Sequence, residues 1–147
     1  MNVSHIMPEE AARLVKEEGY VYVDVRSITE FEGGHPDPAL NVPILHADPR
    51  TGQMTPNLDF LEIMEALFPK DTKLVMGCRS GQRSARATEA LLDAGYATVV
   101  NMRCGFSGER NPLGQVVNPG WMDRGLPVSA DNGEGVCYAS LAAKAGK

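Results

Sequence analysis

An α/β layer fold with a mainly parallel sheet is the architecture this 147-residue sequence predicts, and three observations carry it. Short apolar or β-branched runs alternate along the chain with segments whose apolar residues recur at helical spacing. The runs Tyr20 to Val25 (YVYVDV) and Leu74 to Gly77 (LVMG) have the near-continuous apolar character of strands covered on both faces. The length fits one domain with a sizeable core, and a hydrophobic content of 43% with 22% charged residues is ordinary for a soluble globular chain.

Val3 to Ile6 reads as a short first strand. Pro8, Glu9 and Glu10 then suit the first turn of a helix, Ala11, Leu14 and Val15 form its buried stripe, and Gly19 ends it. Tyr20 to Val25 is the second strand. A short helix at Ile28 to Glu32, a strand around Asn41 to Ile44 and the turn-rich loop ADPRTGQ follow, and an amphipathic helix is expected near Asn57 to Phe68. After the strand Leu74 to Gly77, Ala87, Ala90, Leu91 and Ala94 recur at helical spacing, and Gly95 stops that helix. Ala97 to Val100 makes another strand. From Cys104 to Pro119 the composition turns to Gly, Asn and Pro, which reads as loop with one helical turn. Residues 130–147 read as a mobile tail, so the folded domain is expected over residues 1–129, with no internal repeat and no low-complexity block.

Several function classes lack support. The net charge of −5 gives no general reason to expect nucleic acid as a partner, so any attraction for anions must be local. No apolar run approaches the roughly 18 to 20 residues that a membrane span needs, and the start, MNVSHIMPEEAARLV, lacks the basic flank and apolar stretch of a signal peptide. A cytoplasmic location is the default expectation. Three widely spaced cysteines, Cys78, Cys104 and Cys137, form neither a disulfide framework nor a CxxC knuckle, and read as thiols in a reducing compartment. His5, His35 and His46 show no metal-ligand pattern, and no metal is expected.

The stretch VMGCRSGQRSARA, residues 75–87, concentrates the chemistry. Ligands of open parallel sheets bind at the carboxyl ends of the strands, and Cys78 falls there, between a buried strand and a helix start. The chain must turn sharply, and Gly81 permits the positive φ such a turn needs. Backbone N–H groups of Arg79, Ser80, Gly81, Gln82, Arg83 and Ser84 then face a concavity backed by the positive end of a helix, a nest for an oxyanion. Helix N-termini and neighbouring arginines also stabilise a thiolate over a thiol, and a thiolate is a nucleophile.

These residues resemble the single-domain rhodaneses, a family of sulfurtransferases. Asp24-Val25-Arg26, followed by Glu30-Phe31 and Gly34-His35, is similar to the family's first signature, and Asn41-Val42-Pro43 to the strand entrance after it. Cys78-Arg79-Ser80-Gly81-Gln82-Arg83-Ser84 is similar to the active-site loop, and Gly120-Trp121 through Gly125-Leu126-Pro127-Val128 to the closing signature. The resemblance implies a rhodanese-like, five-stranded parallel sheet with helices on both faces. It also implies that Cys78 takes the outer sulfur of a small anionic donor such as thiosulfate, carries it as a persulfide, and passes it to a thiol acceptor such as thioredoxin or glutathione. Arg79 and Arg83 would add recognition of the donor's sulfonate end. No cofactor is required, because the protein itself carries the sulfur.

Two alternatives stay open. Phosphatases of similar loop design, and the related arsenate reductases, separate cysteine from arginine by five residues; here the sixth position after Cys78 is Ser84 and Arg83 comes one residue early. A non-catalytic rhodanese-like binding module is the second, against which Cys78 itself argues. Asp24 and Arg26 stand at the same sheet edge as Cys78, where they could order the loop, although Arg26 and Glu30 also have the spacing of a structural ion pair. His35 is expected to hydrogen-bond within a turn and Trp121 to pack in the core. Cys104-Gly105 stands where relatives carry Gly-Gly, so Cys104 either fills a glycine site or resolves an oxidised or persulfidated Cys78 into a disulfide, with an intermolecular role for Cys137.

Overall fold

The computed structural model of the chain describes residues 3–147. In order, the elements are β1 (Ser4–Ile6), α1 (Pro8–Glu17), β2 (Val21–Asp24), α2 (Ile28–Glu32), β3 (His35–Pro36), β4 (Ala39–Asn41), β5 (Leu45–Ala47), β6 (Met54–Pro56) and α3 (Phe60–Leu67). They continue with β7 (Lys73–Gly77), α4 (Gln82–Asp93), β8 (Thr98–Met102), β9 (Glu109–Arg110), β10 (Val116–Asn118), β11 (Val128–Ser129) and α5 (Tyr138–Lys144). Five strands form one sheet in the order β1-β8-β7-β2-β4, and every pair in it is parallel.

Alternation along β7 explains why its sequence is apolar throughout. Leu74, Met76 and Cys78 belong to a core shared with Phe60, Ile63 and Met64 of α3 and Ala87 and Leu91 of α4. Val75 belongs to a second core on the other face, with Ala11 of α1, Tyr22, Phe106 and Trp121. A two-period side-chain pattern with both faces covered leaves no polar row. Trp121 is buried as expected, edge-on to Tyr22 with ring centroids 5.7 Å apart, and its indole N–H donates to Pro127 O.

Local signals place the helices. Pro8 opens α1, and Glu9 and Glu10 occupy its first turn. Ser27 and Glu30 form a reciprocal capping box at α2, in which Ser27 Oγ accepts from Glu30 N–H and Glu30 accepts from Ser27 N–H.

Three expectations need correcting. The strand expected around Asn41 to Ile44 lies at Ala39–Asn41; Val42 and Ile44 still donate to Asp24 O and Val25 O, so the chain runs on beside β2 without regular pairing. The segment 104–119 holds a short hairpin of β9 and β10, and the helical turn comes later, at Met122–Arg124. Residues 130–147 are docked: Leu141 of α5 is buried in the α3–α4 core, Asn57 Nδ2 donates to Tyr138 Oη, and Asn41 N–H donates to Val136 O. Tyr138, Leu141, Ala142 and Ala145 recur at i, i+3, i+4 and i+7, a short amphipathic signal that the surrounding Gly, Ser and Asn residues mask. No helix among the described residues is long and apolar enough to cross a membrane.

Candidate active site

The third strand in the sheet order, β7, delivers Cys78 to the carboxyl edge between β8 and β2. From there the chain reverses through Arg79, Ser80 and Gly81 into the 12-residue α4. Gly81 sits at φ +106°, a left-handed conformation that costs glycine nothing and other residues on the order of 1–2 kcal/mol. Its N–H donates to Cys78 Sγ at 3.1 Å, and the Ser84 hydroxyl donates to the same sulfur at 3.3 Å. Cys78 is 2% exposed and Ser84 fully buried, so the sulfur lies beneath the loop, almost closed off from solvent. Two donors, at the positive end of a helix, stabilise negative charge on that atom.

A second segment pins the loop from outside. Phe106 N–H donates to Cys78 O at 2.8 Å and Ser107 N–H to Arg79 O at 2.9 Å. The approach requires glycine at 105, where φ is +62° and an added Cβ would lie 2.4 Å from the Arg79 carbonyl carbon. Cys104, just before it, is buried at φ +72°, and Arg124 Nη2 lies 3.8 Å from its Sγ. Burial pushes the Cys104 thiol up. Its backbone abuts the loop, since a Cβ on Gly81 would meet Cys104 N at 3.5 Å, while Cys78 Sγ takes its hydrogen bonds from Gly81 and Ser84. Cys137 lies at the start of α5, where the Ser140 hydroxyl draws its thiol down.

Asp24 and Arg26 are buried and paired. Asp24 Oδ2 accepts from Arg26 Nη2 at 2.8 Å and from Nε at 3.0 Å, Arg26 Nη2 also donates to Gly34 O, and the guanidinium lies 4.6 Å over the Phe106 ring. The pair thus sits behind the residue that holds Cys78 O. The expected Arg26–Glu30 ion pair does not form, because Arg26 precedes α2 and the i, i+4 rule applies only within a helix. Glu30 instead pairs with Arg83 in two contacts of 2.7 and 2.9 Å. Burial works to raise the Glu30 carboxyl, but the hydrogen bonds and charge of Arg83, with those of Ser27, outweigh it and hold the group at about 2. The same pairing raises the Arg83 guanidinium. Arg83 therefore ties α2 to α4.

Arg79, Ser80, Gly81 and Gln82 share a different boundary. They form one wall of a cleft of about 690 Å³ whose other lining includes His5, Asn101, Arg103, Glu109 and Arg110. Cys78 does not line it; the cleft lies against the loop that covers the buried sulfur. Asn101 is a residue that motif reading misses. It stands in β8 within the run TVVNM, 1% exposed, and its Nδ2 donates to Gly81 O at 3.3 Å and to His5 Nδ1 at 3.0 Å. An amide inside an apolar strand was the available signal, since a buried polar group must find partners. His35 stacks on Phe31 with centroids 3.6 Å apart and contacts Phe31 O through Nδ1, from β3 rather than from a turn.

A model of the rhodanese-like domain family matches residues 7–110. Rhodanese-like domain-containing protein 15, chloroplastic, of Arabidopsis thaliana is 38% identical over 123 residues, covering 83% of this chain and 59% of its own. Thiosulfate sulfurtransferase 16, chloroplastic, from the same plant is 36% identical over 112 residues, covering 76% of this chain and 82% of its own. The chain thus spans about three fifths of the first relative's length. Among solved structures, a crystal structure of a protein from M. tuberculosis superposes with a TM-score of 0.73 at 29% identity, covering 89% of this chain and all of the other.

Proposed function

This chain belongs to the rhodanese-like family, and on that premise we propose that it is a sulfurtransferase that carries sulfane sulfur on Cys78. The observation that supports this most is the pair of donors on Cys78 Sγ, Gly81 N–H and Ser84 Oγ–H, at the N-terminus of α4. The Cys78 thiolate attacks the outer sulfur of thiosulfate; a bond forms between Cys78 Sγ and that sulfur, the donor's own S–S bond breaks, and its electron pair leaves with sulfite. The Cys78 persulfide anion remains. A thiol acceptor then takes the outer sulfur and returns Cys78 as thiolate, the thiol's proton passing to the new persulfide or to solvent. Gly81 and Ser84 are fixed before the reaction starts, so charge moving between the two sulfurs meets donors already oriented.

The loop is short for phosphoryl transfer. Position 84 is serine, and the one-residue-early Arg83 is held by Glu30 and has no freedom to clamp a phosphoryl group. Three free thiols suit a reducing compartment, in keeping with a low-molecular-weight thiol or thioredoxin-type acceptor. Intact mass spectrometry after thiosulfate, with and without cyanide, tests the reading. Wild type should gain one sulfur atom that cyanide removes, and Cys78→Ser should gain none. Absence of the adduct in wild type, with thiosulfate and small persulfides alike, overturns it, and a phosphate-ester assay then separates a phosphatase from a binding module.

A further inference from the structure

We propose that His5 and Asn101 are a pair of positioning residues for the Cys78 loop, and that a proton on the His5 ring releases their hold. The two stand side by side on neighbouring parallel strands, His5 of β1 opposite Asn101 of β8, so both side chains rise from the same face of the sheet. Asn101 is 1% exposed, and its Nδ2 donates twice, to His5 Nδ1 at 3.0 Å and to Gly81 O at 3.3 Å. Gly81 O also accepts from Ala85 N–H at 3.2 Å in the first turn of α4, and Gly81 N–H donates to Cys78 Sγ at 3.1 Å. An exposed imidazole is thereby joined to a buried sulfur through one amide and one glycine.

The Asn101 amide is balanced between two orientations. In the one observed, Nδ2 serves two acceptors, which requires His5 Nδ1 to carry no hydrogen, and Oδ1 is left buried without a donor among the described residues. Protonation of the ring puts a hydrogen on Nδ1, so that two donors face each other across the same contact. Half a turn of the amide relieves this, because Oδ1 then accepts a charge-assisted hydrogen bond from the ring. The same half-turn sets Oδ1 against Gly81 O, oxygen against oxygen, where Nδ2 had donated. Gly81 O then relies on Ala85 N–H, and the glycine N–H is aimed less firmly at Cys78 Sγ. The orphaned oxygen is what makes the amide a switch: neither orientation satisfies the whole group, and the charge of the ring decides between them.

The other charged groups around the ring do not titrate with it. Arg79 of the loop, Arg103 at the end of β8, and Glu109 and Arg110 of β9 line the same cleft as His5, and α4 lines it with the uncharged Gln82 and Ala85. Arg103 and Glu109 pair, which draws the carboxyl down and the guanidinium up. Glu9 and Glu10 belong to α1, across the sheet on the face to which Ile6 turns. Guanidinium groups and carboxylates change charge outside about pH 5–8, the window in which histidine is the side chain that titrates.

Nuclear magnetic resonance of the full chain as Cys78→Ser tests the relay free of thiol titration, and apart from the sulfurtransferase reading on which its consequence for Cys78 rests. Between about pH 8 and pH 5.5 the Gly81 amide and the Asn101 side-chain NH2 signals should move with the midpoint of the His5 ring signals. In Cys78→Ser/Asn101→Ala the His5 ring should still titrate while the Gly81 amide stays in place. His5→Gln supplies an acceptor oxygen that takes no proton. The ratio of wild-type to His5→Gln rates of Cys78 alkylation by iodoacetamide, in which thiol ionisation common to both cancels, should fall about threefold from about pH 8 to about pH 5.5. A Gly81 amide that ignores the His5 midpoint, one that follows it without Asn101, or a rate ratio constant with pH overturns the proposal, whatever the sulfur assays show.

Discussion

Glu30→Gln tests whether the loop's helix is anchored by charge. In the wild type, Glu30 Oε1 accepts from Ser27 N–H, Ser27 Oγ–H and Arg83 Nη1, and Oε2 accepts from Arg83 Nη2. A glutamine oxygen can keep the contacts to Ser27 and Nη1, but its amide nitrogen then faces Nη2, donor against donor. The carboxyl falls from its ordinary 4.5 to about 2. At ~1.36 kcal/mol per pH unit that corresponds to at most about 3.4 kcal/mol. Solvent reaches 25% of the Glu30 side chain, and screening there reduces the expected contribution to about 1–2 kcal/mol.

The sign follows from proton linkage. A carboxylate with a depressed folded-state pKa binds fewer protons folded than unfolded, so its contribution is fully present above about 4.5 and is lost as pH falls toward about 2. Urea unfolding of wild type and Glu30→Gln, followed by far-ultraviolet circular dichroism, should show a stability gap of about 1–2 kcal/mol at neutral pH. The gap should narrow below about pH 4.5 and close only as pH falls through about 2, because a protonated Glu30 presents Arg83 with the same geometry as glutamine. Other acids titrate alike in both proteins and cancel in the difference. A gap that stays constant between neutral pH and about pH 3 would refute the reasoning, as would a neutral-pH gap below about 0.3 kcal/mol.

Other substitutions probe other parts of the molecule. Ser84→Ala removes one of the two donors on Cys78 Sγ and should slow sulfur-adduct formation about tenfold, ~1.4 kcal/mol of barrier, in stopped mass-spectrometric time courses; an unchanged rate would remove Ser84 from the mechanism. Gly77→Ala would set a Cβ 1.8 Å from Tyr22 Oη, and should destabilise the fold by about 1–3 kcal/mol in urea, with Gly77→Ala/Tyr22→Phe recovering part of that loss. Leu141→Ala should cost about 2–3 kcal/mol, where a mobile tail would cost nothing measurable. For Cys104, its left-handed φ and burial favour the glycine-site role, so peptide maps after peroxide should show oxidised Cys78 without a Cys78–Cys104 disulfide; finding that disulfide would assign Cys104 the resolving role instead.

What the sequence discloses about this fold depends on how local each determinant is. The apolar rows of β2 and β7, the Pro8 start of α1 and the Ser27–Glu30 capping box are written within a few residues, and each can be read without knowing what lies opposite. The same holds for Gly81, because a strand that must become a helix within a few residues needs a left-handed step. The partners of the charged residues are written nowhere locally. Arg26 has an acid at i−2 and another at i+4, and the second is the better guess from helical spacing; the structure selects Asp24 because Arg26 lies in a bend before α2, where its own N–H also donates to Asp24 Oδ1. Glu30 and Arg83 lie 53 residues apart and meet only because α2 and α4 converge on the same sheet edge.

Distance in sequence also explains why Asn101 goes unread while Cys78 does not. A cysteine after an apolar strand announces itself through its own neighbours, whereas the meaning of Asn101 lies in Gly81, 20 residues earlier, and in His5, 96 residues earlier. Adjacent β7 and β8 bring those groups into register, Val75 opposite Val100 and Met76 opposite Asn101. The strand beside the nucleophile therefore carries a polar residue at the level of the loop, and its amide fixes the glycine that in turn fixes the sulfur. Weakening that amide should be felt at Cys78 although the two side chains do not touch: Asn101→Ala should change the rate of Cys78 alkylation by iodoacetamide, while the equally buried Thr88→Val, whose hydroxyl bonds only Ser84 O within α4, serves as the packing control. A rate unchanged in Asn101→Ala would show that the loop's own backbone, clamped by Phe106 and Ser107, suffices to hold Gly81 in place.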